Sequence, residues 1–583
     1  MKFFTNREIA KLFKSVAAAY SVKSKDGGNY FQMIAYDRVS DSIERATSEL
    51  KDLWEEGKLG SIPGLGKSMQ DHLAELFKTG KVKHFETLKK GLPQGMFELL
   101  EIPGMGPKSA YKLARELSLK GVSDLEEKAK KGQVRKIPGF GEKSEKDILS
   151  SIAELKGRSG RVVLPFAFET AQRVLSHLRS IKECHQAEPL GSLRRMVSTV
   201  GDIDIAVASK NPKKIINHFI KFKEVSRVLD AGDRKSSVLL VNGMQVDLLV
   251  GELNAFGALL QHFTGSKNHN ISLRELAQKK GMSVSDYGIT VRGRLKEFTT
   301  EEEFYQFLGM DWIEPELRED SGEIEAALKH RLPHLVKLGD IKGDLHIHSD
   351  YPIESSHDFG ADSFEVMINE AKRLNYDYIG LSDHSPGFST HTKTQIIELI
   401  ARRSRRIEQL KSSHKNIRIL NLLEIDILSD ARLSVPEEGL KLLDGAIAGI
   451  HSSHRQEKKM ITKRMLTAIN SPYVQVISHP TGRLLGAREA YEVDWPQVFK
   501  ACVKTNTLLE INAWPNRLDL PDVLVREAII SGVKLIINSD SHAVSQMENM
   551  RFGLSVARRG WATKKDIVNS LSWVDFKKYF RLS

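Results

Sequence analysis

The order of apolar and polar positions divides the chain into a helical first part, a mixed middle and a last part of alternating elements. Apolar side chains recur at helical spacing from the first residues, and helix-like segments continue to about residue 155. The pattern then predicts a helix over 161–180, a strand in the second half of 187–209, a hairpin over 236–250 with Asn242–Gly243 as a type I′ turn, a helix-rich stretch to about 310 and an ordered linker over 311–338.

Short apolar runs and helical segments alternate from residue 339 to the end. This alternation is typical of a βα barrel, in which each strand is followed by a helix. The runs that predict strands lie in YDYIGLSDH, IRILNLLEIDIL, LDGAIAGIHSSH, YVQVISHP, NTLLEINAW and VKLIINSDSH.

A short motif occurs three times in the helical first part, at 61–69, 101–110 and 136–144. Each copy has an apolar residue, then Pro-Gly-x-Gly, then a lysine near a predicted helix start. Glycines let the backbone turn with its N–H groups outward, and the helix N-terminus adds partial positive charge. One copy is compatible with an ordinary helix–helix turn, but three predict sites that hold DNA phosphates. The pattern resembles the helix-hairpin-helix motif, and its glycines are Gly64, Gly66, Gly104, Gly106, Gly139 and Gly141.

Composition narrows the class of protein. With 583 residues, the chain is expected to form three or four domains, and no run of 18 apolar residues predicts a transmembrane helix. Two distant cysteines, Cys184 and Cys502, fit neither a disulfide framework nor a cysteine-based zinc site, so a reducing cytoplasm is expected. The net charge of +12 favours a polyanionic partner, although a solvated basic surface explains it equally well.

Three aspartates form the first candidate site. Asp202 and Asp204 are two apart in a predicted strand and share one face, while Ile203 and Ile205 point into the core. Asp247 interrupts the apolar run of the neighbouring hairpin. Because adjacent carboxylates repel each other and are costly to bury without a cation, the trio suits a hard divalent ion such as Mg²⁺. Such a site would serve nucleotidyl transfer.

The stretch GSLRR, upstream of these aspartates, supplies Ser192, Arg194 and Arg195 as candidate donors to phosphate oxygens. Gly-Ser, two arginines and then Asp-x-Asp resembles the polymerase-beta-like nucleotidyltransferases and, more narrowly, the family X DNA polymerases of bacteria and archaea. HFTGSKNHNISLR, at 262–274, is similar to their turn between palm and thumb. The resemblance implies that Asp202, Asp204 and Asp247 are catalytic, Ser192 and Arg195 hold a dNTP triphosphate, Phe263 and Gly265 lie beside the sugar, Asn270 approaches the base, and Arg274 approaches the template strand.

Two positions depart from the family pattern. His262 stands where the family usually has tyrosine, which bears on sugar discrimination. His72 stands where the family's lyase domain has its Schiff-base lysine; Lys67 is near but at a different position. Condensation with an aldehyde needs an amine. We therefore expect 5′-deoxyribose-phosphate lyase activity to be weak or absent.

An acid or an imidazole follows nearly every predicted strand of the last third. The C-terminal strand ends of a βα barrel meet on one face, so these side chains are expected to converge. A single histidine is more often structural, but this shared placement predicts ligands of Mn²⁺, Zn²⁺ or iron that would polarise a phosphodiester. The candidates are His346, His348, His384, Glu424, His451, His479, Asp540 and His542.

This order of ligands resembles the PHP (polymerase and histidinol phosphatase) domain, a (βα)₇ barrel with a trinuclear metal centre, and HPTGRLL at 479–485 is also similar. The resemblance implies one more ligand before His384. Asp358 is predicted by similarity, His357 is the alternative, and Asp350 is closer in spacing but lacks the glycine that usually follows. In family X the domain is associated with Mn²⁺-dependent 3′→5′ exonuclease activity, and some members cleave at abasic sites or remove 3′ blocking groups.

The predicted protein is a monomeric DNA repair polymerase that binds dNTPs and fills short gaps in DNA, while its barrel trims single-stranded 3′ ends. A DNA-binding scaffold with a decayed site is disfavoured because the three palm aspartates and eight barrel ligands are present. A small-molecule phosphatase fused to a nucleotidyltransferase is disfavoured by the three phosphate-gripping repeats. The predicted domains are an all-α lyase-like region (1–80), helix-hairpin-helix fingers (81–158), an α+β palm (159–250), a thumb (251–310), a linker (311–338) and a (βα)₇ PHP barrel (339–583).

Overall fold

A computed structural model describes residues 4, 6–23, 30–44, 50–55, 59–62, 64–102, 104–157, 161–357, 359–580 and 582. The chain divides into two compact units, Met1–Ser159 and Gly160–Ser583. The predicted fold class is confirmed: a helical first unit precedes a second unit with a mixed palm, a thumb and a parallel barrel.

The regular elements described in the first unit are all helices, and its apolar residues form two clusters. Phe13 and Tyr36 belong to one cluster, and Met96 and Leu113 to the other. Helix α1 contributes to both, because Ala18 and Ala19 pack into the second. The helices are α1 (Asn6–Lys23), α2 (Tyr30–Glu44), α3 (Leu50–Glu55), α4 (Lys67–Thr79), α5 (Lys83–Lys89), α6 (Gly95–Leu99), α7 (Pro107–Glu116), α8 (Val122–Lys130) and α9 (Glu142–Gly157), with 3₁₀ turns at Leu59–Ser61 and Val134–Lys136.

The palm is a five-stranded mixed sheet in the order β2-β4-β7-β6-β5. Alternate residues of β4 and β7 point into a core that also receives apolar residues of α10 and α12. The elements are β1 (Val162–Val163), α10 (Leu164–Arg179), β2 (Gln186–Pro189), α11 (Gly191–Arg194), β3 (Thr199–Val200), β4 (Ile203–Ala208), α12 (Pro212–Phe219), β5 (Val225–Ala231), β6 (Lys235–Leu240) and β7 (Gln245–Gly251).

The loop between β6 and β7 differs from the predicted type I′ turn, which needs positive φ at both central residues. Gly243 has φ 81°, whereas Asn242 is not among the residues with positive φ. The N–H of Gly243 donates to the carbonyl of Leu240 (3.0 Å), so the loop has three residues and ends on a left-handed glycine. The hairpin is present, but the prediction of its turn type is wrong.

The segment from 251 to 338 is more mixed than the predicted helix-rich stretch and linker. It includes a three-stranded antiparallel sheet, and Ile313 and Leu317 of the linker are buried in the same core as Phe304 of the thumb. The elements are α13 (Phe256–Thr264), α14 (Lys267–Lys279), β8 (Met282–Ser285), β9 (Gly288–Val291), β10 (Arg294–Lys296), α15 (Glu301–Phe307) and α16 (Glu323–Leu328), with 3₁₀ turns at Leu253–Ala255, Pro315–Leu317 and Leu338–Asp340.

The barrel is a seven-stranded parallel sheet whose strands follow one another in sequence order. A parallel bridge between Ile347 and Ser541 brings the last strand beside the first. The elements are β11 (Gly343–Asp344), α17 (Phe364–Arg373), β12 (Tyr378–Leu381), α18 (Lys393–Ser413), β13 (Arg418–Asp426), α19 (Glu437–Leu440), β14 (Gly445–Gly449), α20 (Lys458–Ile469), β15 (Val474–Ile477), α21 (Trp495–Thr505), β16 (Leu508–Asn512), α22 (Asp522–Ile530), β17 (Leu535–Asn538), α23 (Met550–Arg559) and α24 (Trp573–Phe580), with 3₁₀ turns at Val544–Asn549 and Val568–Ser570.

Helix α24 lies at the N-terminal end of the barrel strands. Its Phe576 and Phe580 are buried against inward-pointing residues of the strands, including Tyr378 and Leu420. The opposite, C-terminal end is therefore the one that carries polar side chains. Within the described residues, no helix is long and apolar enough to cross a membrane, and the two cysteines are free thiols.

Candidate active sites

The three palm aspartates lie at neighbouring positions of two paired strands. Asp202 immediately precedes β4, and Asp204 stands directly opposite Asp247 where β4 and β7 run parallel. Ile203 and Ile205 are fully buried, so the carboxylates occupy the other, accessible face. The strand alternation inferred from sequence is thus present in the fold. Among the described residues, the groups with the tightest spacing of ligand atoms belong to the barrel, so the palm carboxylates are spread more widely.

The GSLRR segment, whose first four residues form the short helix α11, lies against Asp204. The N–H of Leu190 donates to the carbonyl of Asp204 (2.8 Å), and a Cβ added to Gly191 would lie only 2.9 Å from Asp204 Oδ2. Gly191 also has φ 56°, where a side chain is disfavoured. The half-buried Ser192 follows at once, so the candidate phosphate donors and the candidate metal ligands share one surface.

The two arginines of this loop have different partners. Arg194 makes a two-pronged ion pair with Glu301 (2.9 and 2.7 Å) and donates to Thr264 Oγ1 (2.6 Å). Burial raises the pKa of Glu301, but Arg318 and Arg194 outweigh it and lower that pKa to about 2. Arg195 donates to the carbonyl of Thr264 (2.5 Å). Arg194 is therefore paired with Glu301 of the thumb, and both arginines contact Thr264 at the start of the turn.

The turn at 264–270 is held by its own hydrogen bonds. The side-chain amide of Asn270 donates to the carbonyl of His262 (2.7 Å) and accepts from Gln261 (2.8 Å). Gly265 is buried with φ 68°, Phe263 is half-buried, and Arg274 is exposed on α14. Contacts of these residues with nucleotide or DNA stay predictions.

The described residues of the barrel bring the predicted ligands together at the C-terminal strand ends. Four overlapping groups of three side chains have ligand atoms within 4.8 Å of one another. They join residues spread over almost two hundred positions into one cluster, which we call the barrel cluster. Its members are His346, His348, His357, His384, Glu424, His451, His479, Asp540 and His542.

Glu424 lies at the centre of the barrel cluster. Its Oε2 is 3.1 Å from His346 Nε2 and 3.1 Å from His384 Nδ1. Its Oε1 is 2.8 Å from His479 Nε2 and 3.1 Å from His451 Nε2. Burial raises the pKa of Glu424, but the charge interactions with His346, His451 and His384 outweigh it and hold the pKa well below its ordinary value.

The chemistry of the barrel cluster fits divalent metal ions. Within the described residues, His348 Nδ1 and His479 Nδ1 are buried ring nitrogens without a hydrogen bond, while His346 Nε2 and His384 Nδ1 face the carboxylate of Glu424 at 3.1 Å. Leaving a buried nitrogen without a hydrogen bond costs free energy, and so does burying several imidazoles around one carboxylate. Ions would use both the nitrogens and the carboxylates as ligands.

The ligand that the sequence left open falls on two neighbouring residues. His357 joins His384 and His451 in one group of the barrel cluster, and its Nε2 is 3.2 Å from Asp426 Oδ1. Asp358, the residue predicted by similarity, lies outside the described residues. His357 is therefore placed among the candidate ligands, and the choice between it and Asp358 stays a prediction.

Sequence reasoning missed two carboxylates behind the histidines. Glu510 Oε1 accepts from His346 Nδ1 (2.7 Å), and Asp426 Oδ1 accepts from His451 Nδ1 (2.7 Å). Such outer carboxylates fix the orientation and tautomer of a metal-ligating histidine. The sequence contains a signal for each of these carboxylates. Glu510 interrupts an apolar strand as Asp247 does, and Asp426 is two residues from Glu424 on the same strand face.

Replacing Glu510 by glutamine is expected to raise, by roughly 10- to 100-fold, the Mn²⁺ concentration needed for the half-maximal rate of the phosphodiester cleavage that the sequence predicts for the barrel. Glu510 accepts hydrogen bonds from His346, Asn538, the N–H of His479 and Asn512, so an amide NH₂ would face donors. Titration of the cleavage rate with Mn²⁺ measures the change. The exposed Glu437→Gln is the control, and an unchanged titration in Glu510→Gln would remove Glu510 from the site.

The three glycine motifs of the first unit have the same backbone geometry. Gly64, Gly104 and Gly139 have φ of 79°, 78° and 87°, which L side chains rarely adopt. Helices α4, α7 and α9 begin immediately after Gly66, Gly106 and Gly141. Gly66 and Gly106 cap their helices without a side-chain hydrogen bond, and a Cβ at either would meet nothing within 4 Å. The helix starts are thus open to an anion such as a DNA phosphate.

We expect Gly106→Asp to weaken DNA binding about tenfold without destabilising the protein. Gly106 has φ −76° and ψ 158°, a conformation that aspartate adopts readily at a helix N-cap, but the added charge would repel phosphate. The matched control is Gly106→Asn, which caps equally well without charge. Fluorescence anisotropy with gapped duplex at fixed salt measures the affinity, and equal dissociation constants for the two variants would contradict the phosphate site.

His72, at the family's lyase position, lies in an aromatic cluster. Its ring stacks on His84 (centroids 5.1 Å apart), and its Nδ1 is hydrogen-bonded to Tyr36 Oη (2.9 Å). Burial and the neighbouring His84 lower the pKa of His72. A neutral imidazole held in this way is no Schiff-base amine, so weak or absent lyase activity stays the prediction.

A mixed palm with facing aspartates and a βα barrel with clustered histidines together define a protein with two separate sites for phosphate chemistry. Residues 259–319 match the family model of the DNA polymerase beta thumb, and residues 96–154 match the SAM-like helix-hairpin-helix tandem. The sequence is 34% identical over 582 residues, 99% of each chain, to the DNA polymerase/3′-5′ exonuclease PolX of Bacillus subtilis (strain 168). The chain therefore belongs to the family X DNA polymerases, as its sequence motifs indicated.

Two partial relatives match different shares of the chain. DNA polymerase lambda of Arabidopsis thaliana is 26% identical over 350 residues, which are 54% of this chain and 62% of the relative. A probable phosphatase of Thermoanaerobacter sp. (strain X514) is 24% identical over 237 residues, which are 39% of this chain and 89% of the relative. The chain thus has both polymerase and phosphatase relatives.

Proposed function

We propose that this chain is a DNA-directed DNA polymerase that fills short gaps during DNA repair and carries a metal-dependent 3′→5′ exonuclease in its barrel. The observation that carries the proposal is the full-length similarity to a relative whose name combines both activities. The facing palm aspartates and the barrel cluster supply a separate site for each activity.

Nucleotide addition is assigned to the palm. Asp202, Asp204 and Asp247 would hold Mg²⁺, which would supply positive charge to neutralise the leaving pyrophosphate. Asp247 is the candidate general base for the primer 3′-hydroxyl; its carboxylate accepts from Ser237 and from Gln245 Nε2 (3.0 Å). These two donors orient the carboxylate on the surface that it shares with Asp204.

Binding of the incoming nucleotide is assigned to the loop and turn beside the aspartates. Ser192 and Arg195 bind the triphosphate, because they follow the backbone that lies against Asp204. Phe263 and Gly265 lie beside the sugar, and Asn270 lies near the base. Arg274, exposed on α14, is assigned to the template strand.

Hydrolysis is assigned to the barrel cluster. Its nine residues, with Asp358 as the alternative to His357, would hold divalent ions, which we propose to be three Mn²⁺ or Zn²⁺ ions that polarise the scissile phosphodiester. Glu510 and Asp426 orient His346 and His451 from behind. The open C-terminal end of the barrel receives the 3′ end of a strand.

DNA is the partner that both assignments require. Family X membership, the helix-hairpin-helix match at 96–154 and the thumb match at 259–319 imply DNA binding. We propose gapped or primer–template duplex for the palm and single-stranded 3′ ends for the barrel. Cleavage at abasic sites, a monomeric state and a cytoplasmic location remain predictions.

The test uses wild-type protein with a 5′-labelled single strand and Mn²⁺. Stepwise shortening is expected, and it should stop when a chelator removes the metal. The same preparation should extend a primer across a gap with dNTPs and Mg²⁺. If it shortens no DNA but hydrolyses histidinol phosphate rapidly, the barrel is a small-molecule phosphatase and the proposal for it fails.

A further inference from the structure

A chain of ion pairs within the second unit runs from the barrel to the palm. Arg559, the last residue of α23, pairs with Asp522 at the start of α22 (2.7 Å) and with Glu319 of the linker (2.9 Å). Glu319 also accepts from Arg195 Nε (2.9 Å). Arg559 Nη1 donates in addition to the backbone carbonyl of Arg195 (2.9 Å). Arg559 of the barrel therefore holds Arg195 at two points. It reaches the side chain of Arg195 through Glu319 and contacts the backbone carbonyl of Arg195 directly.

The Nη1 end of the Arg195 guanidinium lies against the turn at 264–270. Its Nη1 donates to the carbonyl of Thr264 (2.5 Å), and a Cβ at Gly265 would lie 3.2 Å from the same atom. Arg194 holds Thr264 from the side-chain end (2.6 Å). The position of Arg195 is thus set between Thr264 in front and Glu319 behind. A shift of Glu319 would therefore move Arg195, and with it both the GSLRR segment and the turn at 264–270.

The ion pairs that connect Arg559, Glu319 and Arg195 are buried, which strengthens them. The side chains of Arg195, Glu319 and Arg559 are 14%, 15% and 4% exposed. Burial raises the pKa of Glu319, but Arg559 and Arg195 outweigh it, so the pKa lies below its ordinary value and the carboxylate stays charged. A buried carboxylate shared by two guanidiniums cannot lose one without redistribution of its contacts with the other.

Helix α23 also packs directly on the palm. Phe552 meets Phe168 of α10 edge to face, with ring centroids 5.6 Å apart. Arg483 of the barrel approaches Ser198 in the loop after the two arginines, with Nη2 3.5 Å from Oγ. The ion-pair chain therefore belongs to a packed contact between barrel and palm.

We propose that Arg559 and Glu319 are positioning residues of the polymerase site. Through Glu319, the barrel sets the guanidinium of Arg195 for the triphosphate of the incoming nucleotide. The barrel would then be needed for nucleotide binding as well as for hydrolysis. The proposal rests on the proposed function, in which Arg195 binds the triphosphate.

The test compares Arg559→Gln and Glu319→Gln with Arg558→Gln in the full chain. Arg558 is the matched control because it pairs with Glu314 (3.2 Å) and Glu316 (2.7 Å) of the same linker. Single-nucleotide gap filling gives KM for the dNTP and kcat separately. We expect the first two variants to raise KM about tenfold with kcat within about twofold, because loss of a coupled charge contact weakens binding. Arg559→Lys should recover part of the loss.

Exonuclease activity on single-stranded DNA is measured on the same preparations and is expected to stay unchanged, which shows that the barrel is folded. A wild-type KM in both Arg559→Gln and Glu319→Gln overturns the inference. So does an equal rise of KM in Arg558→Gln, since any weakening of the linker would then suffice. Wild-type protein without gap filling would instead contradict the proposed function itself.

Discussion

Replacing Asp202 by alanine is expected to lower primer extension across a gap by at least about a thousandfold while exonuclease activity persists. Asp202 is exposed immediately before β4, so its removal leaves the palm core intact. The loss falls on the reaction because this carboxylate would share the cation with Asp204 and Asp247. Extension of a labelled primer under single-turnover conditions measures the effect.

The control for this variant is Asp233→Ala, which removes another exposed palm aspartate outside the candidate site. It should extend the primer at the wild-type rate. If Asp202→Ala extends the primer equally well, the assignment of the palm aspartates is wrong, whatever the barrel does.

The double replacement His346→Ala with His348→Ala is expected to reduce shortening of single-stranded DNA by at least about a thousandfold. Both residues belong to the group that includes Asp540, and His346 Nε2 is also 3.1 Å from Glu424. Two ligands are lost together, and several negative charges remain without a cation. Release of labelled nucleotides with Mn²⁺ measures the loss.

Gap filling should continue in this double variant, because the palm aspartates lie on a different sheet. His414→Ala is the control: this histidine immediately follows α18, and its side chain is hydrogen-bonded to the neighbouring Ser413 and to the carbonyl of Leu410. Undiminished shortening by the double variant would exclude the barrel cluster as the nuclease site.

The barrel and the convergence of polar side chains at its strand ends could be predicted because each strand end is a local signal. An apolar run followed by His or Asp marks both the strand and the position of the side chain, as at His479 and Asp540. Parallel strands in sequence order then bring distant residues to one edge without any further information. Asp202 and Asp204 were visible for a similar reason, since alternation in a strand assigns their face.

Contacts between distant segments could not be predicted in this way. Arg194 pairs with Glu301 and Arg195 with Glu319, more than a hundred positions away, and either arginine could equally have faced a phosphate. The thumb sheet is missed because its strands of three or four residues are too short for a clear period. The type I′ turn predicted at Asn242–Gly243 is wrong because the pair Asn-Gly also fits a three-residue loop.

The central claim is that one chain adds nucleotides at the palm and removes them at the barrel. The most direct measurement follows a 5′-labelled primer with a mismatched 3′ end on a template, with dNTPs and both Mg²⁺ and Mn²⁺ present. The wild type should trim and then extend the primer, Asp202→Ala should only trim it, and His346→Ala with His348→Ala should leave it unchanged. A mixture of the two variants should restore trimmed and extended product. Trimming by the double histidine variant, or no full-length product from the mixture, would contradict the account.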